Sequence, residues 1–341
     1  MKKSAPLPAA GIDVEEEAFA VEPGERIIAS TVDAADAGQR LDLWLSRRFT
    51  YQSRRQWQDA IREGQIRLND RPVRCSRLLQ AGETVTFRPD RDEPPVTMRY
   101  DIIYEDEFLY AVDKGGNLPC HPAGPFFRHT LWYDLTRRYG KVYIINRLDR
   151  ETSGIMLLGK TSAFAARMAN LFQTEAIQKK YYALVYGNFD APIHAAGYLL
   201  DTPAGPVRKK RRFVMAENDG GENGESAETQ LLPVLPGTDG SLVEAVPKTG
   251  RLHQIRATLC SLGFPLLGDK LYGPDETIYL RFIAGTMTPA DRELLRLPRQ
   301  ALHARALEFR HPVTAAVLSL AAPLPPDLRP GLPSGAVSTI P

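Results

Sequence analysis

Val142-Tyr143-Ile144-Ile145-Asn146-Arg147-Leu148-Asp149-Arg150-Glu151-Thr152-Ser153-Gly154-Ile155-Met156-Leu157-Leu158 sets two short apolar runs on either side of a charged loop. Each run has the length and β-branched bias of a buried strand, and Thr-Ser-Gly supplies a turn before the second. A strand end is a rigid mount for a reactive group, and Asp149 stands there between Arg147 and Arg150. A neighbouring arginine keeps a partly buried carboxylate ionised, available as nucleophile or base. On spacing alone, a structural Asp-Arg pair holding the loop is the simpler reading.

Composition bounds the answer without choosing it. The chain has 341 residues, 43% of them hydrophobic and 25% charged, enough for one large domain and a small one. The formal net charge is only +2, so any nucleic-acid surface must be a local patch. Cys75, Cys120 and Cys260 are odd in number and far apart, which argues against a disulfide framework or a structural zinc site. The six histidines show no ligand spacing, so no metal is expected. No run is long and apolar enough to span a membrane, and no apolar core follows the first residues as in a secretory signal. The expectation is a cytoplasmic monomer.

Residues 1–25 are rich in Ala, Pro and Glu and read as a flexible tail. From Gly38 the pattern changes. Leu41, Leu45 and Phe49 recur every four residues with Trp44 beside them; Ser53 then caps a second helix carrying Trp57 and Ile61, stopping at Gly64. Ile66 and Leu68 alternate with polar residues, and Val85 and Phe87 mark a further strand. Arg40, Arg47, Arg48, Arg54, Arg55 and Arg62 lie outside the apolar set. They suit phosphate contacts or, equally, a solvated helix face. Arg91-Asp92-Glu93-Pro94-Pro95 reads as a linker.

Beyond it, residues 102–112 read as a strand pair around an acidic turn. Lys114-Gly115-Gly116-Asn117 reads as a structural turn, since it lacks the context of a phosphate loop. Phe164, Met168, Leu171 and Phe172 form a core stripe on a helix capped near Thr161. Arg208-Lys209-Lys210-Arg211-Arg212 is the densest basic run, read as an exposed hairpin or loop that tracks phosphates, with a nuclear-localisation signal as the competing reading. In Lys248-Thr249-Gly250-Arg251-Leu252-His253-Gln254-Ile255-Arg256, glycine makes a turn, and Leu252, Ile255, Leu259 and Leu262 mark a helix face. His253 and Arg256 fall near the helix start, where an anion is favoured. The residues do not choose between RNA phosphate and the Asp149 carboxylate. Asp269 interrupts a phosphate-loop-like Gly-Asp-Lys, which removes an NTPase reading. Leu302 to Phe309 reads as the last core strand, and residues 323–341 as a loose proline-rich tail.

Several of these stretches, in this order, resemble one family. Arg147-Leu148-Asp149 with Thr152-Ser153-Gly154 is similar to the catalytic motif of RluA-type pseudouridine synthases, which isomerise uridine in ribosomal and transfer RNA. Lys179-x-Tyr181-x-Ala183-x-Val185-x-Gly187 and Thr249-Gly250-Arg251-x-His253-Gln254-Ile255-Arg256 resemble its next motifs, and Gly38 to Arg88 resembles an S4 RNA-binding domain. The resemblance implies an α+β protein: a small S4-like α/β module over residues 38–90, then a mixed, mainly antiparallel β-sheet catalytic domain over residues 98–322. It implies that Asp149 starts the isomerisation, Arg256 holds its carboxylate ionised (Arg251 in reserve), and Tyr181 stacks on a flipped base. RNA contacts are expected from Arg147, Asn146, Arg251, His253, Arg54, Arg55, Arg208, Lys209 and Lys210, with RNA as partner and no cofactor. Attack on ribose or uracil and abstraction of a ribose proton both remain open. Asn146, Gly115 and Glu225 depart from the family pattern, Asn146 replacing the usual His. These departures feed the rival reading, a non-catalytic RNA-binding or ribosome-assembly factor. In an active site, Asn146 is expected to hydrogen-bond the loop backbone or a nucleotide.

Overall fold

A serine before two arginines and a Gln-Trp pair fixes the start of the second helix. In the computed structural model, which describes residues 27–49, 53–88, 93–202, 207, 210–216 and 224–333, Ser53 Oγ accepts from Gln56 N while Gln56 Oε1 accepts from Ser53 N. That reciprocal cap satisfies two otherwise orphaned donors. The helix, α2 (Arg54–Arg62), follows α1 (Leu41–Arg48), and both turn apolar faces inward. Their cover is a four-stranded antiparallel sheet of β1 (Ile28–Thr31), β2 (Ile66–Leu68), β3 (Arg71–Pro72) and β4 (Thr84–Phe87), in the order β1-β4-β2-β3. Asn69 and Asp70, both at positive φ, make the two-residue hairpin turn that matches strand twist. Trp44, Trp57, Leu41, Leu45, Ile66 and Leu79 are each at most 1% exposed and form the core of this unit. Strand β1 lies before residue 38 and was not anticipated: four residues are too short for periodicity to register, yet they pair in register with β4. The tail expected over residues 1–25 lies outside the described residues.

Contacts divide the chain into Met1–Pro94 with Ala123–Phe127, and Pro95–Pro122 with Arg128–Pro341. The second unit is built on one eleven-stranded sheet. Its strands are β5 (Tyr100–Glu105), β6 (Leu109–Lys114), β7 (Tyr143–Ile144), β8 (Ser153–Gly159), β9 (Gln178–Val185), β10 (Ile193–Asp201), β11 (Arg211–Met215), β12 (Glu225–Leu235), β13 (Ser241–Pro247), β14 (Leu302–Arg310) and β15 (Val317–Ala321). The main order is β11-β10-β12-β13-β9-β14-β8-β6-β5, with β15 on β14 and β7 on β8. Helices α3 (Leu131–Tyr139), α4 (Ser162–Gln173), α5 (Gln254–Ser261), α6 (Thr277–Ile283) and α7 (Pro289–Leu295) complete the unit.

All seven residues of β8 are buried, which explains its unbroken apolar run. Alternate side chains enter separate cores. Ile155 and Leu157 pack with Phe164 and Met168 of α4, while Met156 and Leu158 pack with Leu131 and Leu135 of α3. Strand β14, late in the chain, lies between β8 and β9, parallel to β8 and antiparallel to β9. Among the described residues β14–β8 is the one parallel pairing of the sheet. It is close enough that Gly154, at φ +109°, has no room for a side chain: a Cβ would lie 2.2 Å from Ala304 O. The fold is α+β with a mainly antiparallel sheet, as expected.

Two expectations are corrected at the C-terminal end. Leu302–Arg310 is not the last strand, because β15 pairs with it. Nor is the segment from Pro323 loose up to its last described residues. Leu324 and Leu328 are buried beside Leu184 and Leu267, and Asp327 pairs with Arg299 at 2.6 Å. Two leucines among prolines carry no period, so the sequence pattern hid their burial. Leu252, expected on the α5 face, precedes the helix and is half exposed. Among the described residues no helix is long and apolar enough to cross a membrane.

Candidate active site

The loop between β7 and β8 is clamped before it presents anything. Lys114 is fully buried, and its Nζ donates to the carbonyls of Gly115, Leu118 and Arg150. The turn at Lys114-Gly115-Gly116-Asn117 is therefore a structural brace and not a phosphate loop. Cys120 Sγ donates to Leu148 O and accepts from Leu148 N, and Thr152 N closes a turn on Asp149 O at 3.1 Å. Held on both sides, Asp149 keeps 29% of its side chain exposed.

Helix α5 brings the cation. Its entry is fixed by Gln254, which donates to Glu228 O and Thr229 Oγ1 and accepts from Thr249 Oγ1 and Arg251 N. His253 takes a left-handed backbone at the N-cap, φ 56°. Arg256 then forms a two-pronged bond to the buried Asp269, at 2.7 and 2.9 Å, and donates Nη1 to Asp149 Oδ2 at 2.5 Å. Asp269 is itself fixed by the Leu271 and Tyr272 amides. The Arg256 guanidinium lies 4.9 Å over the Tyr272 ring. Gln300 Nε2 donates to Asp149 Oδ2 at 3.3 Å and to Thr152 Oγ1 at 2.6 Å. His253 Nε2 stands 3.9 Å from Asp149 Oδ2, its Nδ1 3.1 Å from the Tyr272 hydroxyl. All these contacts fall on Oδ2. Among the described residues, no hydrogen bond reaches Oδ1.

The electrostatics follow from this geometry. Burial alone pushes the Asp149 carboxyl up, but the charges of Arg256 and His253 and the bonds from Arg256 and Gln300 outweigh it, holding the group below its ordinary value. Burial likewise opposes charge on Arg256, and Asp269 and Asp149 together more than offset that and raise it. Beside Asp149 lies a cavity of about 110 Å³ walled by Tyr181, Lys179, Arg147, Arg251 and His253. Burial, with Asp149 adding, pushes the Tyr181 phenol up to about 12, so its ring is a neutral apolar wall at physiological pH.

Asp149, Arg256 and Tyr181, singled out from sequence, are thus together, and Arg256 rather than Arg251 is the arginine on the carboxylate. Arg147 and Arg251 are exposed at the cavity, and Arg251 Nε donates to Ser226 O. Several other residues expected at RNA have partners within the chain. Asn146 Oδ1 accepts from Leu157 N at 2.7 Å and Nδ2 donates to Ile155 O at 3.4 Å, so its amide pins β8 and is not presented to a ligand. Arg54 is bound to the buried Asp42. Lys210 is paired with Glu276, and Arg211, which opens β11 of the β10–β11 hairpin, pairs with Asp201 and Glu225. Arg55 is exposed. Arg208 and Lys209 lie outside the described residues.

Two members of the site escaped sequence reading. Gln300 has no periodic or motif signal in Arg299-Gln300-Ala301. Asp269 lies in the stretch Gly263 to Gly273, which resembles the family pattern, but its sequence reading goes no further than interrupting a phosphate loop; its position after Gly268, at φ +71°, marks a constrained turn.

Comparison with known proteins closes the description. A model of the RNA pseudouridylate synthase family matches residues 109–261, and an S4 domain model matches residues 39–85. An uncharacterised RNA pseudouridine synthase of Synechocystis sp. is 33% identical over 290 residues, spanning 83% of this chain and 93% of the relative. The ribosomal large subunit pseudouridine synthase D of Nitrosomonas europaea is 30% identical over 320 residues, spanning 89% of this chain and 86% of the relative. Among solved structures, the human RNA pseudouridylate synthase domain containing 4 superposes with a TM-score of 0.52 at 23% identity, covering 67% of this chain and 90% of that one, a likeness of fold.

Proposed function

The chain belongs to the RNA pseudouridylate synthase family, as an RluA-type member with an N-terminal S4 domain, and from that premise we propose that it isomerises uridines of large-subunit ribosomal RNA through Asp149. The choice of RNA leans on relatives named for the ribosomal large subunit. The observation that carries the catalytic assignment is one carboxylate with two different oxygens. Oδ2 is gripped by Arg256 and Gln300, and Oδ1 is left unbonded beside the Tyr181-walled cavity.

In the reaction the N1–C1′ bond breaks, a C5–C1′ bond forms, C5 releases its proton and N1 takes one up. Nothing is oxidised or reduced, so the chemistry calls for no electron acceptor, and we propose that the protein works without cofactor or metal. The uridine leaves the RNA stack and its base lies against Tyr181, where contact with a flat ring tolerates the base turning over between the two bonds. Oδ1 then acts on the ribose or the base as nucleophile, or takes the C2′ proton. A primary isotope effect with 2′-deuterated uridine marks the proton route. Asn146, Gly115 and Glu225, the departures from the family pattern, each have a structural partner away from Asp149: the β8 backbone, the Arg99 backbone and Arg211.

The test is tritium release from ribosomal RNA carrying [5-³H]uridine, paired with pseudouridine mapping in cells with and without the protein. Release by the wild type, none by Asp149→Asn, and a lost site in large-subunit RNA are the expected results. A lost site confined to transfer RNA would overturn the substrate assignment, and turnover by Asp149→Asn the mechanism.

A further inference from the structure

Lys179 is the second residue of the strand that carries Tyr181, and it is only 6% exposed. Its Nζ donates to Lys248 O at 3.0 Å and Thr249 O at 3.2 Å, the two carbonyls of the turn leading to α5. An ammonium has three N–H groups. Two other buried lysines are better compensated: Lys114 directs its ammonium to three carbonyls and feels the fields of Asp149 and Asp113, and Lys270 pairs with Glu151. Lys179 has two carbonyls, and among the described residues no carboxylate forms an ion pair with it. Burial depresses its pKa, and the anion that partly offsets this is the exposed Glu175. A buried charge so weakly compensated is costly unless a partner arrives.

Its position says where a partner would come from. Lys179 and Pro247 line the cavity beside Asp149 and also a neighbouring groove of about 770 Å³. The two depressions meet at these residues, so a group bound to the Lys179 ammonium would lie at the edge of the Asp149 cavity. The groove itself carries Glu175, Glu228 and Glu308, with Glu228 paired to Lys248 and His194. Lys248 and Arg310 also line the groove, so away from Lys179 it holds two cations against three carboxylates and no surplus of positive charge for a run of phosphates. A neutral uracil oxygen would leave the lysine charge uncompensated, whereas a phosphodiester matches it.

We propose that Lys179 binds one phosphodiester flanking the flipped uridine, so that the RNA supplies the counter-ion that the protein lacks there. The inference rests on the reading that a uridine enters the Asp149 cavity. Holding that phosphate would orient the ribose against Asp149 Oδ1, and Lys179 would contribute to binding more than to the chemical step.

The experiment uses the full-length protein and short synthetic RNAs around a mapped target uridine. In each RNA, one flanking phosphate, 5′ or 3′, is replaced by a neutral methylphosphonate. With the wild type, one of the two replacements should raise KM about tenfold or more, the scale of one charged hydrogen bond, with kcat at saturation little changed. With Lys179→Met that replacement should have no further effect, and with Lys179→Arg it should persist. If Lys179→Met does not fold by thermal melting, Lys179→Gln, which retains two N–H donors for the same carbonyls, replaces it. Indifference of the wild type to both replacements overturns the proposal. So does an equal penalty in wild-type and neutral-variant proteins, the result expected if Lys179 touches a uracil oxygen or only braces the turn. Absence of tritium release from the unmodified RNA would instead strike the reading of the site as a whole.

Discussion

Arg-Leu-Asp occurs twice in this chain, at 40–42 and at 147–149, and the two aspartates meet opposite fates. Both are surrounded by cations and a glutamine. In the N-terminal unit Asp42 is fully buried; Oδ1 accepts from Arg40, and Oδ2 from Arg40, Arg54 and Gln58. Both oxygens are used, and the carboxylate is a rivet between α1 and α2. In the second unit every donor converges on Oδ2 of Asp149, and its other oxygen borders a cavity. Cations hold both carboxylates ionised, yet one is a structural group and the other borders a cavity. One difference lies in which lone pairs the partners leave open: none on Asp42, those of Oδ1 on Asp149.

Exchanging each aspartate for asparagine gives the sharpest contrast. Asp149→Asn should lower single-turnover tritium release by ~10⁴-fold or more while RNA affinity stays within about threefold, since the amide keeps the shape but not the reactive oxygen. Asp42→Asn should leave release from a short saturating RNA unchanged and lower stability by about 1–3 kcal/mol, read in urea from Trp44 and Trp57 fluorescence. Arg40 and Arg54 are 40% and 47% exposed, so water screens part of that loss. Burial pushes Asp42 up, but the bonds from Arg40, Gln58 and Arg54 hold it below the ordinary value. Its contribution is therefore complete at neutral pH and is lost as pH falls below about 4, a dependence the asparagine variant should lack. Comparable losses of tritium release from the two exchanges would break the contrast.

Arg256→Met should come next in size. It leaves Asp149 and the buried Asp269 without their shared cation, which should slow turnover by ~10²–10³-fold and cost about 3–5 kcal/mol of stability. Without that cation the Asp149 carboxyl should titrate higher, so residual activity should climb from pH 5 to 8. A flat profile would mean that Arg256 serves architecture alone.

Asn146→Ala removes the acceptor of the Leu157 amide in a buried strand and should cost roughly 1–3 kcal/mol in urea unfolding. Asn146→His, with a ring nitrogen able to accept the same bond, should cost less and keep turnover. Equal stability of all three proteins would dissolve the structural role.

The smallest expected effect is that of Arg55→Ala. One exposed arginine in the S4 unit should make the slope of log affinity against log salt shallower by about 1, with catalysis at saturation untouched. An unchanged slope would take Arg55 off the RNA.

What the sequence disclosed, and what it withheld, follows the same division. Asp149, Arg256 and Tyr181 lie in local motifs, and the strands on either side of Asp149 announce themselves through continuous apolar runs. Gln300 and Asp269 act through contacts that only the folded chain brings together, and a lone Gln or Asp has no pattern to find. Arg54 and Lys210 show a second limit. A basic run shows charge but not the carboxylate folded beneath it, Asp42 in one case and Glu276 in the other.

The place of β14 has a consequence in time. Residues 100–300 can build two half-sheets, β5-β6-β8 with β7 and β9 to β13, and only the strand at 302–310 lies between them. Asp149 hangs from one half and Tyr181 from the other. During synthesis, which runs from the N-terminus, the emerging polypeptide holds each half long before the strand that joins them exists. Closing contacts of such long sequence separation are slow, and they come last. Asp149 and Tyr181 are therefore set on one continuous sheet only after residues 302–310 have been made and β14 has entered between its two neighbours.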